Sequence, residues 1–204
     1  MKKILVISML AMVICLSAAL LVQAQDRKIV VIGDSLTFQT NFGPSVVNRG
    51  IPGATAHSIL KRLPRILPED ADVVSLMIGI NNLLNGESPE DTADNISELL
   101  GAITARVPGA KVYLVSVLPT TVSEKLNEKI VALNNLLGQI VDNVSQQFPD
   151  LAIESKVGFI NIHDSFAEAD GLTAKVEYIR PRNVHLTKGG QKYLRQLLEP
   201  YWLE

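Results

Sequence analysis

The chain has 204 residues, 47% of them hydrophobic, with one cysteine and a formal net charge of −2. That length suits a single domain with its own core. The acidic balance excludes the basic surface that binds nucleic acid, and a lone cysteine excludes a disulfide framework.

In chain order, Lys2 and Lys3 precede an apolar run from Ile4 to Val22, followed by Gln23 and Ala24. A basic start, an apolar stretch and small residues at the −3 and −1 sites predict a signal peptide over residues 1–24, cleaved after Ala24. The run also approaches the ~20 residues that span a bilayer, so an uncleaved membrane anchor is the alternative. Either way the chain is expected to be exported, secreted or periplasmic, with membrane contact only if the segment is retained. Cys15 lies in that segment, so residues 25–204, the remaining domain, carry no thiol.

Apolar runs then predict strands over Lys28–Ile32, at Val46 and Val47, and over Val73–Ile78, Val112–Val117 and Phe159–Ile162. Runs apolar on both faces fit a parallel sheet covered on both sides. Helices alternate with them. Ser88 followed by Pro89, Glu90 and Asp91 opens one that runs to about Arg106. A second, from Ser123 to about Phe148, carries the stripe Leu126, Ile130, Leu133, Leu137, Ile140 and Val144. The last starts near Thr187 and carries Tyr193, Leu194, Leu197 and Leu198. The expectation is one α/β domain with a doubly wound parallel sheet, whose site lies beyond the carboxyl ends of its strands.

Those ends carry polar residues suited to acyl transfer. Gly33-Asp34-Ser35-Leu36-Thr37 follows the first strand, Asn48-Arg49-Gly50-Ile51-Pro52-Gly53 the second and Gly79-Ile80-Asn81-Asn82 the third. Val184-His185-Leu186-Thr187 precedes the last helix. A serine needs an adjacent base to act as nucleophile, and a histidine takes the proton and returns it to the leaving alcohol. Backbone and amide N–H groups stabilise the negative oxygen of the tetrahedral intermediate.

In these motifs the chain resembles the SGNH hydrolases, also called GDSL esterases and lipases, over essentially all of residues 28–200. The resemblance implies a three-layer α/β/α sandwich on a five-stranded, flavodoxin-like parallel sheet. It implies Ser35 as nucleophile, His185 as base, and an oxyanion hole from Ser35, Gly50 and Asn81, with no cofactor and no metal. The stretches VVNRGIPGATA and LMIGINNLL are most similar to bacterial enzymes related to platelet-activating-factor acetylhydrolase and sialate O-acetylesterase. They imply removal of small acyl groups, acetyl above all, from an extracytoplasmic ester such as an acetylated carbohydrate. A lysophospholipase or thioesterase of the same family is the alternative enzyme.

Two positions depart from the family's pattern. Arg182 stands three residues before His185, where the family usually has the triad aspartate, and Asn82 replaces the aspartate of GxND. A cation facing the imidazolium would repel it by roughly 4 kcal/mol at 4 Å and an effective dielectric of 20. Three outcomes stay open. A backbone carbonyl near Arg182 holds the imidazole and leaves a Ser–His dyad; Asn183, Asp164 or Asp170 takes the acid's place; or the protein is an inactive binding module on a degenerate fold. Asp34 is expected to be a hydrogen-bonding turn residue, with Asn82 in a similar supporting role. His57 is expected to be a solvated or capping residue, and His163, Asp164 and Asp170 lack metal-ligand spacing. Arg49 suits a substrate contact or a surface salt bridge, and Thr37 with Phe38 suits the pocket floor.

Overall fold

The computed structural model describes residues 27–147 and 157–203. The predicted export segment, residues 1–24, and Phe148, the expected end of the long helix, lie outside the described residues. Five strands, β1 (Ile29–Gly33), β2 (Val46–Gly50), β3 (Val73–Met77), β4 (Lys111–Val115) and β5 (Val157–Ile160), form one parallel sheet in the order β2-β1-β3-β4-β5. The helices are α1 (Ser35–Gln39), α2 (Ala56–Ile66), α3 (Ile80–Leu84), α4 (Pro89–Arg106), α5 (Glu124–Gln147), α6 (His163–Phe166) and α7 (Lys188–Leu203). This is the α/β/α architecture and flavodoxin-like strand order that the sequence leads one to expect.

Alternation along the strands builds two cores. Val30, Ile32, Val74, Leu76, Val112 and Leu114 face one way and pack against α2, α4 and α5 through residues such as Ile59, Ile96, Leu99, Ile130 and Leu133. Ile29, Val31, Val73, Val115 and Ile160 face the other way and meet Leu36, Phe166, Leu194, Leu198 and Trp202. Strands β1 and β3 are buried at every position, which explains their unbroken apolar runs.

Several elements differ from expectation. Strand β2 runs on through Asn48 and Arg49 to Gly50. It is an edge strand, so polar residues cost it little and its apolar run is short. Single-turn helices α1, α3 and α6 are too short to show a helical period. Helix α2 is interrupted in sequence by Pro64, which lies inside it. On α5 the buried seam is Leu126, Ile130, Leu133, Leu137 and Val141. Ile140 is only partly buried, and the side chain of Val144 lies outside the described residues.

Strand β4 ends at Val115, short of the expected Val117. Beyond it, asparagines on α5 take over the work of a neighbouring strand. Asn134 accepts the Val117 N–H at 2.8 Å and donates to its carbonyl at 2.9 Å. Asn127, two turns earlier, accepts the Thr120 N–H at 2.8 Å and donates to Thr120 O at 2.8 Å. Both side chains are buried, and a buried backbone pair without such partners would be costly.

Helix α7 begins where Thr187 Oγ1 accepts the Gly190 N–H at 3.0 Å, a side-chain cap. A Cβ added at Gly190 would collide with the carbonyl oxygen of Tyr178. Gly190→Ala should therefore lower the melting temperature, an overpacking cost of about 1–3 kcal/mol exceeding the ~1 kcal/mol that alanine offers a helix. Thermal unfolding checks this, and a raised melting temperature would contradict it.

Candidate active site

The strand order reverses direction between β1 and β3, and ligands of such sheets bind at that switch point. Ser35 opens α1 directly beyond β1, and Asn81 lies in α3 directly beyond β3. Asp34 caps α1, its Oδ1 accepting the Leu36 N–H at 2.9 Å. The turn is tight because Gly33 leaves no room for a side chain: a Cβ there would collide with Thr37 Oγ1 and Met77 O. Thr37 is accordingly buried beneath the turn, whereas Phe38 is exposed.

His185 comes from the other end of the chain. Its Nε2 lies 3.0 Å from Ser35 Oγ, and its Nδ1 lies 2.6 Å from Asn183 Oδ1. The same Oδ1 accepts the backbone N–H groups of Val184 at 2.9 Å and His185 at 3.0 Å. Those two N–H groups fix which end of the Asn183 amide faces the ring, since the NH2 end would confront two donors. Nδ1 must then carry the proton, and the Nε2 lone pair is turned toward the Ser35 hydroxyl. An asparagine can impose the wrong tautomer when its amide is free to turn; here the backbone denies it that freedom.

Arg182 is exposed and takes φ +53°, the one non-glycine residue with positive φ among the described residues. A left-handed turn costs such a residue roughly 1–2 kcal/mol. It is followed directly by Asn183, so the orienting residue sits two positions before His185, not three. Of the candidates to replace the aspartate, the structure puts Asn183 on the imidazole. Asp170 instead closes its own loop through Leu172 and Thr173, and Asp164 is exposed on α6.

Thr121 holds the Asn183 loop from across the fold. Its hydroxyl accepts the Asn183 N–H at 3.0 Å and donates to Arg180 O at 2.5 Å. Its own N–H donates to Asn183 O at 3.1 Å. Nothing in the sequence marks Thr121, because its partners are some sixty positions away. Its place follows from the α5 asparagines that hold Val117 and Thr120.

The other predicted residues fall as follows. Asn81 donates from Nδ2 to Ala54 O at 2.9 Å, which orients its amide. Asn82 is fully buried and structural, accepting the Ala56 N–H and donating to Glu87 Oε2. Gly50 lies against α1, where a Cβ would meet Phe38 Cα at 2.6 Å, so glycine is required by the approach of the helix itself. The Gly50 N–H donates to Asn48 Oδ1 at 2.9 Å. Asn48 was missed in the sequence, although its place two residues before Gly50 is the spacing of a local side-chain to backbone turn.

His57 is exposed in the first turn of α2, and Thr55 is the cap. His163 is buried, with Nε2 3.1 Å from Gly171 O and Nδ1 within reach of Val117 O and Asn134 Nδ2. Arg49 is exposed at the end of the edge strand. No group of three or more metal-ligating side chains occurs among the described residues, and no helix among them is long and apolar enough to cross a membrane.

Two ionisations beside the Ser35 hydroxyl are shifted. Desolvation, with a smaller contribution from the nearby Arg180 charge, lowers the His185 pKa below its usual 6.5. Burial pushes the Asp34 carboxyl up to about 7, against the lowering effect of the Leu36 N–H.

The family of GDSL-like lipases and acylhydrolases has a model that matches residues 31–193. No curated protein sequence matches the chain. Among solved structures, a Streptococcus pneumonia protein named for platelet activating factor superposes with a TM-score of 0.73 at 22% identity, covering 94% of this chain and 99% of that one. A GDSL-like lipase from Bacteroides thetaiotaomicron superposes with a TM-score of 0.64 at 20% identity, covering 88% of each chain. A catalytic mutant of an acetylxylan esterase from Geobacillus stearothermophilus gives 0.68 at 16% identity, covering 87% of this chain and 94% of that one. At these identities the likenesses show the shared fold.

The buried carboxyl yields a test. Its folded-state pKa lies above the unfolded value, so the stability it contributes is complete below about pH 4 and is lost as pH rises through about 7. Asp34→Asn keeps the acceptor for Leu36 and carries no charge. Its melting temperature should gain on the wild type as pH is raised from about 5 to about 8; a gap that stays constant would contradict the assignment.

Proposed function

On the premise that the chain belongs to the GDSL-like lipase/acylhydrolase family, and so is an ester hydrolase, we propose that it removes small acyl groups, acetyl above all, by a Ser35–His185–Asn183 triad. The observation that carries this reading is the aligned pair of contacts on His185, to Ser35 Oγ and to Asn183 Oδ1. Ser35 attacks the ester carbonyl as its hydroxyl proton passes to His185 Nε2. Asn183 holds the imidazole in the one tautomer that can accept it. The tetrahedral oxyanion is met by the Ser35 N–H and by the Asn81 amide; the third donor expected from the sequence, the Gly50 N–H, is instead taken by Asn48 Oδ1. Collapse expels the alcohol, which takes the proton back from Nε2. Water then repeats the sequence on the acyl-enzyme, releasing the acid and restoring Ser35.

A neutral Asn183 serves for orientation but adds no charge to stabilise the imidazolium. The lowered His185 pKa agrees with that environment. This arrangement favours turnover over the reading as an inactive binding module, since the orienting contact is made without the missing aspartate. The residue 1–24 segment supports an extracytoplasmic substrate such as an acetylated carbohydrate. The longer-chain reading, a lysophospholipase or thioesterase, draws on a separate observation. Phe38 lies one turn beyond Ser35 and Leu84 one turn beyond Asn81, and they are 58% and 46% exposed, so apolar surface borders the catalytic elements.

Hydrolysis of p-nitrophenyl acetate should fall by about 10³-fold or more in Ser35→Ala, with loss of covalent labelling by a fluorophosphonate. An unchanged rate would overturn the esterase reading. An acyl-chain series from acetyl to decanoyl separates the two substrate readings by the chain length that maximises kcat/KM. In the pH profile, activity should fall on acidification with a midpoint below about 6.5, because the base must be neutral. Asn183→Asp should move that midpoint up, while Arg182→Asp should bring no gain in rate, since the imidazole is already held.

A further inference from the structure

The segment that delivers His185 is a short antiparallel hairpin. Ile179 pairs with Leu186, the Arg180 N–H donates to His185 O at 2.9 Å, and the Thr187 N–H donates to Tyr178 O at 2.8 Å. In this register Arg180 stands directly opposite His185. Side chains alternate along paired strands, so Ile179 and Leu186 share one face and Arg180 and His185 the other. The first pair is buried in the core. The second lies on the face where His185 meets Ser35. Directly opposed side chains have Cβ atoms about 5 Å apart, which makes Arg180 the cross-strand neighbour of the base. Its Nε donates to Leu186 O at 3.0 Å, which tethers the guanidinium to the hairpin.

No carboxylate neutralises this cation. Arg180 is exposed and forms no ion pair among the described residues. Of its guanidinium, Nε alone is hydrogen-bonded among them. The carboxyl of the nucleophile turn, Asp34, is buried and taken up by the Leu36 N–H. The Arg180 charge instead reaches the imidazole, where after desolvation it is the second cause of the lowered His185 pKa. A cation without a partner at that place works against the imidazolium that forms during attack.

Resting on the esterase reading above, we propose that Arg180 determines specificity by binding an anionic group, a carboxylate or a phosphate, on the alcohol part of the ester. His185 returns its proton to the leaving alcohol, so a side chain beside the base borders the alcohol. The two Nη groups of Arg180 present a planar fork, the geometry that pairs with carboxylate and phosphate oxygens. Such a substrate brings the counter-charge that the fold leaves out. Once Arg180 is paired, its opposition to the imidazolium is relieved. Asn183, being neutral, offers the ring no charge, and the substrate's anion then supplies part of what an aspartate would. An anionic ester therefore binds more tightly than its neutral counterpart and turns over faster. Among extracytoplasmic esters this selects acetylated acidic sugars or phosphate-bearing alcohols over neutral glycans.

The test compares 4-acetoxybenzoate with its neutral methyl ester, and 4-acetoxyphenyl phosphate with 4-methoxyphenyl acetate, on the full chain. The methyl ester has the better leaving group, so a preference for the benzoate does not come from intrinsic reactivity. Wild type should prefer the anionic member of at least one pair by about tenfold or more in kcat/KM, the effect of one hydrogen bond to a charged group. Arg180→Gln should cut that ratio by about tenfold, whereas Arg182→Gln, at the exposed cation of the turn, should change it by less than about twofold. Each ratio is taken within one protein sample, so a variant that is partly unfolded still reports. Added sodium chloride should shrink the wild-type ratio by screening the pair. The pair with the larger Arg180-dependent ratio tells carboxylate from phosphate. A wild type with no preference for either anion, or a ratio that survives Arg180→Gln or added salt, overturns the proposal. An equal loss in Arg182→Gln assigns the effect to the overall charge of the loop and overturns it too. If none of the four esters is cleaved in a Ser35-dependent way, the esterase reading and this proposal fall together; Ser35-dependent cleavage without preference overturns this proposal alone.

Discussion

The site depends on one oxygen. Asn183 Oδ1 receives the N–H groups of Val184 and His185 and faces His185 Nδ1. The first two contacts decide the third, because they leave the amide one permissible orientation. From that orientation follow the tautomer of His185 and the direction of its free lone pair. An aspartate presents the same face whichever way it turns. An asparagine needs its surroundings to choose, and here the choice is made by the backbone of the loop it belongs to.

That loop is closed by an antiparallel bridge between Ile179 and Leu186, with the Arg180 N–H donating to His185 O, and a relay of side chains ties it to the rest of the fold. Asn134 and Asn127 on the buried face of α5 fix Val117 and Thr120. Thr121, next in the chain, binds Asn183 and Arg180. The left-handed turn at Arg182 is sustained because both of its flanks are bonded. The nucleophile side is anchored differently. Glycines at 33 and 50 admit the backbone of α1 and its neighbours at close range, and Asn48 ties its C-terminal carbonyls to the edge strand.

Much of this was legible in the sequence. Unbroken apolar runs located β1 and β3 because both faces of those strands are buried, and the motifs at their ends located Ser35 and Asn81. The α5 stripe drifted by one residue, from Ile140 to Val141, because a helical period does not say where the covering surface ends. Arg182 drew suspicion as a misplaced charge. The resolution lay one residue on, in a turn whose backbone dihedral no residue pattern specified. Thr121 and the asparagines of α5 act across long separations, and a polar residue on an otherwise apolar face reads the same whether it pairs with a backbone or with water. Asn48 was the exception: its contact with Gly50 is local, and its spacing was there to be read.

The neutrality of Asn183 has a further consequence, which concerns the medium. A contact between two formal charges weakens as salt screens it, and a carboxylate near its ordinary pKa of about 4 loses its charge in acid. The Asn183–His185 contact involves no ionised orienting partner. The alignment of the imidazole is therefore indifferent to ionic strength, and in brine as in dilute buffer the ring is held by the same three N–H donors converging on one amide oxygen.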